Sequence, residues 1–319
     1  MLKNGCLLNT PFNWAQIIVN TSIEHLLIRM LRKNFGNFEF QYTHKHMNRL
    51  RYPLFLLLLA ASFSACFEPR EGCLDISATN FDAGADKDCC CVYPKLVLRV
   101  DQVYDTLLFR NDLLYPASNG SLFRIKSIAF YLSDFQLFQN GQSFRVSDTL
   151  TLNTFSGNDT TAQLFINDFQ LVRRSPLDYA IGTFQQDGNF EEVNFRFGLS
   201  NDAQKVIPFK APANHPLAAQ TDSLWRGQNN GFVFLQAVVV RDSMASTPAD
   251  TLRFLQADLG QPFIGGTGVF VHPTGYDFPL KLRVDYKQMF EGVNWSVHDI
   301  SAWKSTIIAN LPSTFSVSQ

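Results

Sequence analysis

Apolar and polar residues alternate along most of the chain after residue 94. At residues 95–101 every second position is apolar, which is the period of a strand with one buried face. Residues 122–138 are apolar on both faces in the middle of the segment, which is typical of a strand at the centre of a sheet. Asn140 and Gly141 follow and predict a hairpin turn. The alternation predicts further strands at residues 144–152, 162–172, 179–184, 192–199, 231–241, 251–258, 268–272 and 279–286.

This pattern predicts an all-β protein, an antiparallel β-sandwich of about ten strands with few helices. One helix is predicted near the C-terminus, because Asp299 is a suitable N-cap and Trp303 and Ile307 recur at helical spacing. Pro312 is expected to end this helix, whose apolar face is expected to cover an open end or edge of the sandwich. The glycines of residues 265–268 are predicted to link two strands, since no helix follows them.

The first part of the chain has the order of a secretory signal. Residues 47–53 are cationic, residues 54–63 form an apolar run, and small residues precede Cys66. This order predicts a lipoprotein signal peptide at residues 47–65, with cleavage before Cys66 and lipid attached to it. The alternative is a membrane-spanning anchor, but the run is shorter than the roughly 20 residues that cross a bilayer. Residues 1–46 are then interpreted as a mis-called N-terminal extension, with Met47 as the initiator.

A lipid anchor at Cys66 predicts a cell-envelope protein, periplasmic or at the cell surface and held on the outer membrane. Removing residues 1–65 takes the chain from 27 basic and 28 acidic side chains to 20 and 26, a net charge of about −6. Nucleic-acid binding needs clustered basic residues that displace counterions from phosphates. The sequence therefore predicts the membrane as a partner, through the lipid, and no nucleic acid.

A tether and a cysteine-rich acidic module are predicted at residues 66–94, ahead of the sandwich at residues 95–319. Once Cys66 carries lipid, the module retains Cys73 and the run Cys89, Cys90 and Cys91. In an oxidising compartment, a disulfide from Cys73 to one of these three would close a loop of roughly 16 to 18 residues. Such a loop stabilises a fold by about 3 kcal/mol.

Two metal sites are alternatives to a purely structural module. Its carboxylates could gather a Ca²⁺ ion, which takes several oxygen ligands, although their spacing is not that of an EF-hand loop. The residues concerned are Asp75, Asp82, Asp86 and Asp88, with Asn80. The three adjacent thiols could instead hold Cu(I), a soft ion that favours thiolate ligands. Thiols outside the cytoplasm tend to oxidise, which favours the disulfide.

The motifs of common catalytic sites are missing from the sequence. There is no Gly-x-Ser-x-Gly elbow, no His-Glu-x-x-His helix and no phosphate- or dinucleotide-binding glycine loop, so we predict a binding protein and not an enzyme. The mature chain keeps His215, His272 and His298. His272 is typical of a hydrogen-bonded histidine, and His298 of a surface or capping residue. His215 is the best candidate for a metal ligand, because Pro216 stiffens its loop and Trp225 follows on the same polar loop.

Five segments of the predicted sandwich carry a family resemblance. They are Ile128-Ala-Phe-Tyr-Leu-Ser-Asp-Phe-Gln-Leu137, Val193-Asn-Phe-Arg-Phe-Gly-Leu199, Asn214-His-Pro-Leu217, Leu224-Trp-Arg-Gly-Gln-Asn-Asn-Gly-Phe-Val-Phe234 and Phe254-Leu-Gln-Ala-Asp-Leu-Gly260. Their order resembles the MbnP family, whose members are secreted copper-binding proteins, common as lipoproteins in Bacteroidetes. The resemblance runs from about Lys95 to the C-terminus. The leader at residues 72–93 also resembles the Gly-Cys-Thr-Asp modules attached to such lipoproteins.

The resemblance implies a β-sandwich that binds copper, in some members through histidines and a tryptophan oxidised to kynurenine by a partner di-haem enzyme of the peroxidase type. His215 matches the His-Pro position, and Trp225 matches the tryptophan before the Gly-Phe strand. Where copper-binding members carry histidine, this chain has Ser133 and Asp258, and neither is a good Cu(I) ligand. The resemblance still gives His215 and Asp258 as the expected metal ligands, with Trp225, Tyr131 and Ser133 lining or modified at the site.

Two functions from different classes follow. The first is an exported cell-envelope lipoprotein whose MbnP-like domain binds copper. The second is a surface interaction module that has lost the metal site and binds protein or glycan through the aromatic and amide-rich loop at residues 224–231. A structural envelope protein without a ligand is a third alternative.

Overall fold

The computed structural model describes residues 69–157, 159–219, 224–244, 246–260 and 262–319. All of them belong to one compact unit, Pro69–Gln319. The extension at residues 1–46, the signal at residues 47–65 and the lipidation site Cys66 lie outside the described residues, so these stay predictions. Within the described ranges, no helix is both long and apolar enough to span a bilayer.

Strands dominate the described part of the chain. The strands are β1 (Glu71–Gly72), β2 (Lys87–Asp88), β3 (Lys95–Tyr104), β4 (Leu107–Leu108), β5 (Tyr115–Pro116), β6 (Leu122–Gln139), β7 (Gln142–Phe144), β8 (Thr149–Ser156), β9 (Asp159–Ile166), β10 (Gln170–Val172), β11 (Asp178–Thr183), β12 (Gly188–Phe197), β13 (Leu235–Val240), β14 (Asp250–Phe254), β15 (Phe263–His272), β16 (Phe278–Asp285) and β17 (Phe315–Ser318). The helices are α1 (Gln256–Leu259), α2 (Tyr286–Met289) and α3 (Ile300–Thr314), and 3₁₀ turns lie at Ala203–Lys205 and Pro208–Lys210.

Two sheets pack face to face with the main hydrophobic core between them. The larger sheet has the order β14-β13-β6-β12-β15, and β5, β7 and β10 also pair with β6. The smaller sheet has the order β11-β3-β16-β17, with β4 paired with β3. Phe130 on β6, Phe197 on β12 and Leu282 on β16 are buried in one apolar cluster. The predicted all-β sandwich, with β6 at the centre of a sheet, is confirmed.

One pairing in the sandwich departs from the predicted antiparallel arrangement. Strands β3 and β16 run parallel, with Leu98 opposite Leu280 and Leu282 opposite Val100. A parallel pair needs a long connection, and the chain between these two strands contains the whole larger sheet. Alternation along each strand reports burial of one face and says nothing about direction, so the sequence pattern did not contain this information.

Two of the predicted strands are each divided in the structure. The segment 144–152 breaks between β7 and β8, and the segment 162–172 breaks between β9 and β10. At both breaks an aspartate side chain binds a backbone N–H group. Asp148 accepts from the Thr183 N–H at 2.7 Å, and Asp168 accepts from the Phe135 N–H at 2.9 Å. At these breaks the β8–β9 hairpin separates from the larger sheet.

Two local predictions near the end of the larger sheet are wrong. Residues 265–268 do not link strands but lie inside β15, where Gly265 faces Asn194 on β12. A Cβ at Gly265 would collide with the Asn194 side chain and the Val193 carbonyl, so the glycine permits close strand approach. Asp258, predicted at the end of a strand, lies in the short helix α1.

The C-terminal helix begins as predicted and ends later. Asp299 caps α3, because its side chain accepts from the Ala302 N–H at 3.0 Å. Trp303, Ile307 and Leu311 are buried in the main core, and α3 packs against β14 and β17. Pro312 lies inside the helix, where the N–H that it lacks removes one hydrogen bond close to the C-terminal end.

Candidate functional site

The leader is held by the predicted disulfide, and the structure selects the pairing. Cys73 is bonded to Cys91, with their Cα atoms 4.8 Å apart and a sequence separation of 18. Cys73 is fully buried, whereas Cys89 and Cys90 are free thiols. The disulfide therefore leaves no set of three thiolates for Cu(I).

The leader carboxylates bind the module's own backbone and side chains. Asp75 accepts from the Ser77 N–H at 2.9 Å, Asp86 from the Arg70 N–H at 3.0 Å, and Asp88 from the Leu74 N–H at 2.9 Å. Asp82 pairs with Arg70 at 2.7 Å. These contacts point the oxygens at separate partners, so the geometry does not assemble them into the oxygen cage that Ca²⁺ requires.

The loop that carries His215 and Trp225 covers the outer face of the larger sheet. Beneath it lies a second apolar cluster, which includes Tyr131, Leu217, Leu224 and Phe232. Tyr131 is fully buried and its hydroxyl donates to the Pro216 carbonyl at 3.2 Å. Tyr131 thus joins the loop to β6.

Both ring nitrogens of His215 are occupied by hydrogen bonds. Nδ1 accepts from the Leu217 N–H at 3.1 Å, so the neutral ring carries its proton on Nε2, which lies 3.0 Å from Asn167 Oδ1. Burial lowers the pKa of His215 to about 4, which keeps the ring neutral near pH 7. A metal ion could bind His215 only by replacing one of these hydrogen bonds.

A polar groove with a volume of about 370 Å³ lies beside this histidine. Its lining includes Lys95, Asp148, Gln170 and Asn214 as well as His215. The groove gives solvent access to the edge of the imidazole. Its charged side chains, Lys95 and Asp148, are of a kind found on any polar protein surface.

The two positions expected to complete a metal site have structural roles. Ser133 is buried, and its hydroxyl donates to the Gly198 carbonyl at 2.9 Å. Asp258 accepts from the Leu255 N–H at 2.8 Å at the start of α1 and pairs with Lys304 at 2.8 Å.

The donor atoms of the sandwich are therefore not arranged to bind a copper ion. Across the described ranges, the group of three potential ligands that lie close together is Cys73, Asp88 and Cys91. Two of these are sulfurs of the disulfide and cannot act as thiolates. Neither His215 nor Asp258 belongs to a close group of three His, Cys, Asp or Glu side chains among the described residues, and Ser133 is a poor copper ligand, so the residues present do not fit the implied copper ion.

Trp225 lies in an aromatic cluster at the protein surface. Its ring is nearly parallel to that of Phe155, with centroids 6.3 Å apart and 9° between planes. Phe209 stands perpendicular to it at 5.5 Å and is 73% exposed. The indole Nε1 is buried without a hydrogen-bond partner among the described residues. Sequence reasoning found Trp225 but missed Phe155 and Phe209, which lie on other segments.

A charged network that the sequence analysis missed is centred on Asp134 in β6. Asp134 has a left-handed backbone, with φ 55°, at a bulge where β6 has one residue more than β12. Its carboxylate binds Arg145 at 2.8 Å and Arg196 at 2.5 Å. Asp168, buried nearby, has its pKa raised to about 6 by burial and by the negative charge of Asp134. The only sequence signal was a Ser-Asp pair inside an otherwise apolar strand.

The histidines at positions 272 and 298 have the predicted surroundings, a buried hydrogen-bonded ring and a surface ring. His272 is buried, with Nδ1 2.6 Å from the Gln186 carbonyl oxygen and Nε2 2.7 Å from that of Tyr276. His298 lies at the surface before α3, where Nε2 contacts Asp250 at 2.9 Å.

Comparison with known proteins gives one family and one related structure. A model of the MbnP family matches residues 93–305, more than half of the chain. Among solved structures, the chain is similar to MbnP from Methylosinus trichosporium, with 12% sequence identity and a TM-score of 0.38, over 70% of this chain and 97% of that chain. No match was found among curated proteins.

Proposed function

The chain belongs to the MbnP family, and we propose that its sandwich is an interaction module that binds a neutral glycan and has lost the copper site of the family. The observation that carries this proposal is the surface cluster of Phe155, Phe209 and Trp225. We refer to these three residues as the aromatic cluster. The proposal also includes export and anchoring of the protein at the cell envelope through lipid on Cys66.

Trp225 of the aromatic cluster lies on a hydrogen-bonded loop. The Arg226 N–H donates to the Gly231 carbonyl at 2.8 Å, and the Val233 N–H donates to the Leu224 carbonyl at 2.7 Å. Gln228 reaches the Gly157 carbonyl at 2.6 Å and ties the loop to the β8–β9 hairpin. A surface fixed in this way loses little conformational entropy when a ligand binds.

The chemistry next to the aromatic cluster favours a carbohydrate. The side chains of Gln228, Asn229 and Asn230 are exposed, and amides both donate and accept hydrogen bonds, as sugar hydroxyls do. Exposed ring faces supply apolar contact area for the C–H faces of a sugar, and a few polar groups beside them set its orientation. A protein partner is the competing outcome, since aromatic residues also form the centre of protein interfaces.

Copper binding is the other candidate function, and it rests on family membership. The donor set described above does not support it, because His215 has no free ring nitrogen and Asp258 is held by Leu255 and Lys304. We accordingly place no copper in the proposed function. Neither a modified Trp225 nor a di-haem peroxidase-type partner is part of it.

The glycan proposal is tested by titrating the full-length protein with the hits of a neutral-glycan array, using calorimetry. Phe209→Ala should weaken binding by about tenfold or more, because it removes an exposed ring worth about 1.4 kcal/mol of contact. Tyr276→Ala is the matched control, since Tyr276 is 68% exposed and lies outside the aromatic cluster. Equal losses in the two variants, or no array hits while envelope proteins bind through Phe209, would contradict a glycan ligand.

The copper alternative is tested by a separate titration. Titration of the same protein with Cu(I) and Cu(II), with and without His215→Ala, should show no tight site that depends on His215. A stoichiometric site lost in His215→Ala, or mass spectrometry showing oxidised Trp225, would establish metal handling in its place.

Anchoring is tested independently of the ligand. Cys66→Ser should move the protein from the membrane fraction to the soluble fraction, because one cysteine is the predicted attachment point for the lipid. Retention of Cys66→Ser in the membrane fraction would contradict a lipid anchor at this position.

A further inference from the structure

Two cysteines of the leader remain unpaired beside the disulfide. Cys89 and Cys90 are adjacent in sequence, and their Sγ atoms lie 2.7 Å apart. Cys90 is exposed and Cys89 is partly exposed. A covalent S–S bond is about 2.0 Å long, so the two sulfurs need to move by only about 0.7 Å to become bonded.

The local backbone explains why the sulfurs meet. Adjacent side chains of an extended segment point to opposite sides, but Cys90 has a left-handed φ of 60°, which breaks that alternation. The segment is fixed on both sides: the Cys89 N–H donates to the Gly72 carbonyl at 3.0 Å, and Asn80 donates to the Cys90 carbonyl at 2.8 Å. The disulfide of Cys91 to buried Cys73 fixes the next residue.

We propose that Cys89 and Cys90 are a reversible redox pair, which forms a vicinal disulfide by exchange with a low-molecular-weight disulfide. This site is separate from the sandwich, and it does not depend on the proposed glycan function. The pair is also distinct from the Cys73–Cys91 bond, which has a structural role.

The exchange proceeds in two balanced steps. The Cys90 thiolate attacks one sulfur of the external disulfide, forming a mixed disulfide and releasing one thiolate. The Cys89 thiolate then attacks the Cys90 sulfur and releases the second thiolate. The protons of the two protein thiols pass to the two released thiolates, so the protein pair is oxidised and the external disulfide is reduced.

The environment assigns different roles to the two thiols. Hydrogen bonding to Cys90, together with the nearby Glu71 carboxylate, raises the pKa of Cys89 to about 11. Glu71 itself pairs with Lys87 at 2.6 Å. Cys90, the more exposed thiol, is therefore the attacking residue, and Cys89 is the residue that resolves the mixed disulfide.

The vicinal bond should be reduced before the Cys73–Cys91 bond. Adjacent Cα atoms across a trans peptide are about 3.8 Å apart, which is below the usual range of about 4.4–6.8 Å for disulfides, and such deviations make a disulfide easier to reduce. Access adds to this difference, since Cys73 is fully buried whereas Cys90 is exposed. The leader would thus hold one labile and one resistant disulfide.

Peptide mapping of the full-length protein tests the pair. Trypsin cleaves after Arg70, Lys87 and Lys95, so the peptide 71–87 carries Cys73 and the peptide 88–95 carries the three other cysteines. The Cys73–Cys91 bond keeps the two peptides linked without reductant. After treatment with oxidised glutathione, we expect the linked species to be lighter by two hydrogens and closed to alkylation.

Graded reduction completes the test. Dithiothreitol should open the pair to two alkyl groups at a concentration at least about tenfold lower than that which separates the peptides. Cys89→Ser and Cys90→Ser are matched controls, and each should accept one alkyl group or one glutathione. Stable glutathione adducts in the unmutated protein, a bond from Cys89 or Cys90 to Cys73, or simultaneous reduction of both disulfides would overturn the proposal.

Discussion

The two buried histidines of this protein both precede a proline, yet their surroundings differ in the hydrogen bonds that they offer. His215 meets one donor, the Leu217 N–H, and one acceptor, the Asn167 side chain. His272 meets two acceptors, the carbonyl oxygens of Gln186 and Tyr276. A neutral imidazole has one donor and one acceptor. It therefore satisfies both partners of His215, whereas in the second region both ring nitrogens face carbonyl oxygens.

The comparison shows that a histidine in a family motif is not thereby a ligand. Metal binding needs a ring nitrogen with a free lone pair, and both ring nitrogens of His215 are engaged in hydrogen bonds. His215 is held in place by the loop backbone and Asn167. His272 is held by the backbone before β12 and after β15, together with the ring of Phe278, stacked at 4.9 Å. In both regions the histidine stabilises the position of a loop, which is a role that its sequence neighbours do not indicate.

The largest effect is expected for His272→Ala. The substitution removes a buried ring stacked on Phe278 and its hydrogen bonding to two carbonyl oxygens, so the free energy of unfolding should fall by about 3 kcal/mol. Urea unfolding measures this loss. His298→Ala is the matched control, since His298 is half exposed and pairs with Asp250 at the surface, and its loss should stay below about 1 kcal/mol. Similar losses in the two variants would contradict the buried role of His272.

A smaller effect, with a defined pH dependence, is expected for His215. Because burial lowers its pKa from 6.5 to about 4, the folded protein binds fewer protons than the unfolded chain between these values. The stability that His215 contributes is complete above pH 6.5 and is lost as the pH falls to about 4. Allowing for its partly open surroundings, we expect about 2 kcal/mol.

The measurement is the urea midpoint at pH 7.5, 5.5 and 4.5, with His215→Ala for comparison. The variant should be less stable at pH 7.5, and the difference in stability between the two proteins should shrink as the pH falls to 4.5. A variant with the same pH dependence as the unmutated protein would show that His215 does not titrate as a buried neutral ring.

The sequence predicted the layers of the fold better than the chemistry of the site. Period-two alternation located β6, β12 and β16 because each has one or both faces in the core. Buried positions carry apolar residues, which the sequence shows directly. The parallel pairing of β3 with β16 and the α1 position of Asp258 depend on contacts between distant segments. Local patterns do not record such contacts.

The same limit applies to the candidate site. His215 and Trp225 were found on one polar loop and Tyr131 through the family motifs, and the structure does place all three on the loop or beneath it. Asn167, Phe155 and Phe209 were missed, because each lies in a segment without a distinctive pattern and acts only through tertiary contact. The partners of a site residue decide its chemistry, and these partners came from the fold.

Asp168 provides the smallest and most discriminating prediction, because it follows Asn167 directly and titrates in the opposite sense to His215. Burial and Asp134 raise its pKa to about 6 from 3.8, so the stability that it contributes is complete below pH 3.8 and is lost as the pH rises through about 6. At pH 7.5 its buried charge is a cost. Asp168→Asn keeps an oxygen for the Phe135 N–H and should therefore stabilise the protein by about 1 kcal/mol at pH 7.5.

Combining Asp168→Asn with His215→Ala separates the two titrations. In Asp168→Asn the loss of stability from pH 6.5 to 4.5 should become steeper, because the opposing contribution of Asp168 is gone, and in the double variant the curve should be nearly flat. Destabilisation of Asp168→Asn at pH 7.5 would mean that attraction between the Asp168 carboxylate and Arg145, one of the groups that lower its pKa, outweighs burial. The network at the β6 bulge would then be a source of stability at neutral pH, and the region around His215 would depend on charge as well as on packing.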